Sequence, residues 1–206
     1  WSMGRAIWRQ GTTTLLDYGG AGRPCLFVPS LVNRAHVLDL TRDRSLLGWL
    51  RQQGHRPFLV DWGEPGEAEQ KFSLSDYIAR LRAILEVVDD AAPGPPALVG
   101  YCMGGDLALA LAQQCQDALS GLALLATPWD FHAGGQQWPG IDAMVPGLDS
   151  MLEGFGALPV DVLQALFAAL DPGLAQRKFC HFASLDPDGA EAAHFVALED
   201  WVNDGV

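Results

Sequence analysis

The sequence predicts an α/β fold, a mostly parallel sheet flanked by helices, with a helical insertion late in the chain. Three observations predict it. Short, continuously apolar runs alternate with stretches of helical periodicity between Thr12 and Thr127. Gly and Pro punctuate the joins, as at Gly19-Gly20-Ala21-Gly22 and Pro93-Gly94-Pro95-Pro96. After Thr127 the strand–helix rhythm stops, and the chain turns rich in Gly, Pro, Trp and Phe.

Each element has its own warrant. Thr12–Tyr18 reads as a strand ahead of the glycine turn, and Cys25–Val28 as a strand buried on both faces. An irregular segment follows Pro29-Ser30. Leu46, Leu47 and Leu50 give Ser45–Gln53 helical spacing, and Gly54 stops that helix. Pro57–Trp62 is the next buried strand. Ser73 is placed to cap a long amphipathic helix through Tyr77, Ile78, Leu81, Ile84, Leu85 and Val88. Ala97-Leu98-Val99 and Leu122–Ala126 are two further strands expected to be buried, with a helix from Asp106 to Cys115 between them. Helices are expected around Val160–Leu170 and Ala190–Val202. Residues 1–127 are thus expected to form the core and 128–206 a cap or lid. The cap aromatics are its own packing or partly face a substrate.

Composition narrows the classes. The 206 residues are 49% hydrophobic and carry a formal net charge of −12, which argues against nucleic acid as the main partner. No apolar run approaches the roughly 18 residues of a membrane span, and no secretory signal opens the chain. A cytoplasmic protein is the expectation. Cys25, Cys102, Cys115 and Cys180 are too scattered for zinc or a disulfide framework, so no metal and no cofactor is expected.

The chemistry is carried by Gly100-Tyr101-Cys102-Met103-Gly104-Gly105. A strand precedes this hexapeptide and a helix follows it. A nucleophile with glycine two before and two after, between strand and helix, is the elbow of the α/β-hydrolase fold. Gly100, Gly104 and Gly105 are needed where strand and helix pass too close for a Cβ. The candidate nucleophile is the Cys102 thiol; the plainer alternative is a buried core cysteine in a tight turn. An ordinary thiol is only a few per cent ionised at neutral pH, so it needs a base or an electropositive setting, and the helix N-terminus offers the latter. The Met103 N–H is one candidate oxyanion donor and the Leu31 N–H, on the loop after the Cys25–Val28 strand, is the other. Asn33 either orients substrate or hydrogen-bonds its own loop.

The acid and base are harder to place. In this fold they follow the nucleophile on loops after later strands. His132 comes too early, and His181 and His194 fall in the expected cap. The expectation is therefore a chain truncated before its last strands, with the Asp and His beyond Val206.

The chain resembles the polyhydroxyalkanoate synthases, most closely the shorter, two-component kind. The likeness rests on the elbow and on five further stretches. These are Leu31-Val32-Asn33-Arg34 with Val37–Leu40, Asp43–Leu46, Leu59–Pro65, Thr127–Phe131 and Leu198–Trp201. The resemblance implies an α/β-hydrolase core with a cap and a Cys nucleophile that falls on Cys102. It implies that (R)-3-hydroxyacyl-coenzyme A thioesters are polymerised through a covalent acyl-enzyme into a growing polyester. It further implies a second synthase subunit or a second copy as partner, in the cytoplasm or at the polymer-granule surface. Arg34, Arg42 and Arg44 are either a coenzyme A phosphate patch or solvated surface. Two other readings stay open. The elbow also resembles those of dienelactone hydrolases and of polyester depolymerases or thioesterases that use Cys. A degenerate relative that only binds a ligand or subunit is the third.

Overall fold

The computed structural model describes residues 4–130, 133 and 139–205. The chain divides into two compact units, one running to residue 131 and the other over 132–205.

The first unit is built on a six-stranded sheet. Its strands are β1 (Arg5–Gln10), β2 (Thr13–Asp17), β3 (Pro24–Val28), β6 (Arg56–Asp61), β7 (Ala97–Tyr101) and β8 (Gly121–Leu125). They lie in the order β1-β2-β6-β3-β7-β8. The four strands β6, β3, β7 and β8 run parallel, and the β1–β2 hairpin joins antiparallel to β6. Between β3 and β6 the chain makes a 3-10 turn (Ala35–Leu38), a short hairpin of β4 (Asp39–Thr41) and β5 (Arg44–Ser45), and helix α1 (Leu46–Gln52). Helix α2 (Leu74–Ala91) precedes β7, and α3 (Gly104–Gln114) links β7 to β8.

Alternation along the strands divides the core into two layers. Leu26, Val28, Phe58, Val60 and Leu98 face α2 and α3, where they meet Leu81, Ile84, Val88, Leu107 and Leu111. Cys25, Phe27 and Leu59 face the other way, onto Ala35, Leu38 and Leu47 of the segment around α1. Each such side chain contributes about 1.5–3 kcal/mol of burial, which is why the apolar runs become strands covered on both faces. Local signals set the helix starts. The Ser45 hydroxyl accepts the Gly48 N–H at 2.8 Å at the head of α1. At the head of α2 the Asp76 carboxylate reaches back to accept the Ser73 N–H at 2.8 Å and the Ser73 hydroxyl at 2.6 Å.

One buried and one half-buried ion pair tie the hairpin to the rest of the unit. Arg80 of α2 bonds Glu69 Oε1 and Thr13 Oγ1, each at 2.9 Å. Asp17 of β2 takes two hydrogen bonds from Arg56, at 2.7 and 3.3 Å, and one from the Gly19 N–H at 2.7 Å.

One strand is not foreseen in the sequence, and one strand expectation needs correction. β1 carries no clear alternation, yet it forms, held by pairing with β2 across Gly11. β8 was expected to be buried, and every one of its residues is exposed. It is the last strand of the sheet, with β7 on one side and no strand on the other among the described residues. An apolar run gives a strand but not its cover.

The second unit contains α4 (Pro139–Phe155), α5 (Val160–Leu170), α6 (Leu174–Phe182) and α7 (Ala190–Asn203). Helices α5 and α7 fall where periodicity puts them; α4 and α6 do not announce themselves, and α4 runs through Pro146. Phe195 stacks on Phe182 with ring centroids 4.4 Å apart and meets Phe179 edge-on at 5.7 Å. Most large apolar side chains here remain exposed, Phe155 at 73%. Ala192 is the buried hydrophobic residue of this unit among those described.

Candidate active site

Cys102 stands at the bend between β7 and α3, at the carboxyl end of the parallel strands. Its backbone is left-handed, with φ of 53°, a conformation that costs an L-residue about 1–2 kcal/mol. Two hydrogen bonds hold it there. The Cys102 N–H donates to the Leu125 carbonyl of β8 at 2.8 Å, and the Cys102 carbonyl accepts the Gly105 N–H at 2.8 Å. The residue is half-buried, whereas Cys25 is buried.

The glycines are explained one by one. A Cβ on Gly100 would run into the Gly105 backbone. One on Gly104 would run into the carbonyl oxygens of Val28 and Pro29, where β3 ends. One on Gly105 would overlap the Thr127 side chain, at 2.6 Å from Cγ2 and 2.7 Å from Cβ. Strand β7, helix α3, the end of β3 and the chain after β8 therefore meet at closest approach around the thiol.

The loop after β3 brings Leu31 to the same edge of the sheet. Its shape is set by the Ser30 hydroxyl, which accepts the Val32 N–H at 3.0 Å, and by the Trp62 indole, which donates to the Pro29 carbonyl at 3.2 Å. Among the described residues, no hydrogen bond takes up the N–H of Leu31 or of Met103. Asn33 is half-buried in this loop. Leu31 also lines a small cleft with Thr12, Trp62, Gly63, Pro65 and Tyr77. A second cleft, of about 110 Å3, is bordered by Tyr18, Arg34, His36, Asp39 and Asp61. Cys102 borders neither.

Burial, and then the electrostatic influence of the neighbouring Cys102, push the Tyr101 phenol above its usual range. Burial alone pushes the Cys25 thiol up, as suits an inert core residue. Cys115 donates weakly to the Leu111 carbonyl at 3.1 Å, and Cys180 is exposed on α6.

The histidines divide by position. His55 enters β6 at its amino end, on the opposite side of the sheet from the elbow. His36 lies in the 3-10 turn after β3. His181 and His194 belong to α6 and α7 of the second unit, and His132 lies outside the described residues. Arg34 is engaged with Glu64 at 2.6 Å, while Arg42 and Arg44 are exposed. Two residues against the elbow are not singled out as site residues by the sequence. Ala126 is the second described non-glycine residue with positive φ, at 50°, and Thr127 covers Gly105.

Comparison with known proteins places this geometry. The family model for the alpha/beta hydrolase fold matches residues 38–182. The chain is 32% identical over 190 residues to a poly(3-hydroxyalkanoate) polymerase subunit PhaC of Haloarcula marismortui, covering 89% of this chain and 39% of that one. It is 29% identical to the subunits of the same name from Synechocystis and Allochromatium vinosum, covering 88% of this chain and 50% and 52% of theirs. The chain thus spans about half the length of these relatives or less. Among solved structures, it superposes on carboxylesterases of Nitrososphaera gargenis with a TM-score of 0.54 at 14% identity, covering 97% of this chain and 66% of that one. For the thioesterase domain from the curacin biosynthetic pathway the TM-score is 0.53 at 15% identity, covering 82% and 60%. Both likenesses are of fold.

Proposed function

Because this chain belongs to the α/β-hydrolase family and its sequence relatives there are poly(3-hydroxyalkanoate) polymerases, we propose that it is the nucleophile-bearing part of an acyltransferase. The enzyme builds polyester from (R)-3-hydroxyacyl-coenzyme A. The observation that carries this reading is Cys102, half-buried on a left-handed elbow, with the N–H groups of Met103 and Leu31 taken up by no hydrogen bond among the described residues.

In this reading the Cys102 sulfur attacks the thioester carbonyl. The oxygen that gains charge is met by the N–H groups of Met103 and Leu31, each donor of this kind being worth about 2.7–4 kcal/mol. Collapse of the adduct breaks the bond to coenzyme A, which leaves as a thiol with the proton given up by Cys102. The acyl group now rests on Cys102. A hydroxyl of a second hydroxyacyl unit loses its proton to a base and attacks that acyl carbonyl, so that an ester forms as the Cys102 sulfur leaves. Asn33 orients the incoming acyl group. Gly100, Gly104 and Gly105 hold the bend. We assign the base and its acid to sequence that the longer relatives carry outside the matched stretch, and the second unit to the role of a cap. The partner is a second synthase subunit or a second copy of the chain, in the cytoplasm or at the polymer surface.

The test is incubation of the full-length protein with (R)-3-hydroxybutyryl-coenzyme A. Free coenzyme A with insoluble polyester is the expected result. Free coenzyme A with soluble 3-hydroxybutyrate replaces the reading with that of a Cys-dependent hydrolase. No release of coenzyme A leaves a ligand- or subunit-binding relative.

A further inference from the structure

The Thr127 hydroxyl is out of place by ordinary packing rules. Oγ1 is buried and, among the described residues, has no hydrogen-bond partner. An orphaned buried hydroxyl costs about 1–3 kcal/mol, a cost that an apolar group would not carry. The neighbouring residue adds to the anomaly, since Ala126 is held at φ of 50° where glycine is the comfortable residue. Two unfavourable features in succession lie against the bend that carries Cys102, and such features gather where geometry is put to use.

Their shared effect is visible in the packing. The left-handed turn at Ala126 comes directly after Leu125, whose carbonyl holds the Cys102 N–H at 2.8 Å. That turn directs Thr127 onto Gly105, whose own N–H holds the Cys102 carbonyl. The Thr127 oxygen takes the place where a Gly105 Cβ would stand. It is therefore nearer to the Gly105 Cα than the 3.5 Å or so that two carbon atoms need. An oxygen tolerates that approach as a weak Cα–H···O contact; a methyl group does not.

We propose that Thr127 is a positioning residue for the nucleophile: its hydroxyl lets the chain after β8 close on Gly105 and so fixes the first turn of α3, and with it the direction of the Cys102 thiol and the Met103 N–H. The role in turnover rests on the acyl-transfer reading; the role in setting the thiol does not. The geometry separates oxygen from bulk. Valine in place of threonine forces α3 outward by a fraction of an ångström, while serine keeps the oxygen.

The experiment uses full-length wild type, Thr127→Val and Thr127→Ser. It measures thermal stability, the pH profile of Cys102 alkylation by iodoacetamide in proteins whose Cys25, Cys115 and Cys180 are replaced by alanine, and kcat and KM with (R)-3-hydroxybutyryl-coenzyme A. The expected result for Thr127→Val is unchanged or higher stability, an altered alkylation profile, and kcat lower by about tenfold with KM little changed, as small misplacements at a reacting centre produce. Thr127→Ser is expected to restore the profile and kcat. An alkylation profile and kcat in Thr127→Val equal to wild type overturn the proposal, as does loss of activity only in proportion to loss of stability. If no variant, wild type included, releases coenzyme A while the alkylation profile still shifts, the acyl-transfer reading fails and the positioning role stands.

Discussion

Cys102 and Ala126 lie at the ends of adjacent parallel strands and share one uncommon backbone, left-handed at φ of 53° and 50°. The register that pairs Tyr101 with Leu125 brings them level, and the Cys102 N–H continues that pairing onto the Leu125 carbonyl. Strain at Cys102 is thus matched by strain in the strand that braces it.

Replacing Cys102 by alanine removes the sulfur and leaves the backbone demand unchanged. Alanine suffers the same left-handed penalty, so the melting temperature is expected to stay close to wild type while coenzyme A release falls to background. Parallel calorimetry and a thiol-release assay on the full-length protein check both halves.

The three elbow glycines are expected to rank by what their missing Cβ would meet. Gly104→Ala confronts two backbone carbonyls, Val28 and Pro29, that cannot rotate aside, and it is expected to cost more than the 1–3 kcal/mol typical of overpacking. Gly105→Ala confronts a side chain, and the pair Gly105→Ala with Thr127→Gly is expected to recover most of the lost stability. Urea titration of the four proteins gives the order directly.

Ala126→Gly is expected to stabilise the fold. Relief of the left-handed strain, about 1–2 kcal/mol, is offset by about 0.5–1 kcal/mol of extra chain entropy in the unfolded state. The net gain of up to about 1.5 kcal/mol shows as a higher urea midpoint at constant slope.

Acid stability is expected to depend on Asp17. Burial alone would raise its carboxyl; the Arg56 guanidinium and the Gly19 N–H outweigh that and hold it below the usual carboxylate range. Its contribution is therefore complete above the unfolded carboxyl value of about 3.9 and is lost as pH falls through the lower folded value. Asp17→Asn is expected to cost about 1–3 kcal/mol at pH 7, where it leaves Arg56 without its anion. Wild type and variant begin to converge below about pH 4 and meet below the lower folded value, as stability measured at stepped pH will show.

Much of this arrangement is legible in the residues themselves. Cys25–Val28, Pro57–Val60 and the elbow declare strands, because side chains covered on both faces leave a continuous apolar run. The same composition misleads at Gly121–Leu125, since a run of leucines reports the demand for cover and not whether cover is supplied. β1 is invisible because an outer hairpin strand needs only one apolar face and its partner. Proline and glycine within residues 139–155 hide α4, whose helix tolerates Pro146. At the candidate site, Cys102 and its glycines carry the spacing of a strand-to-helix elbow. Thr127 carries none, for its role arises from contact with Gly105, twenty-two positions away, and no local pattern encodes that meeting.

The outer margin of β8 has a consequence of its own. Its amides and carbonyls, flanked by Leu122, Leu124 and Leu125, form an open template for backbone pairing among the described residues. A polypeptide that zips onto it in parallel would lie one strand spacing, about 4.8 Å, from β8. Its outgoing loop would emerge beside Ala126, within the neighbourhood of the thiol. Whatever occupies that berth therefore acquires both a structural duty and first access to the chemistry.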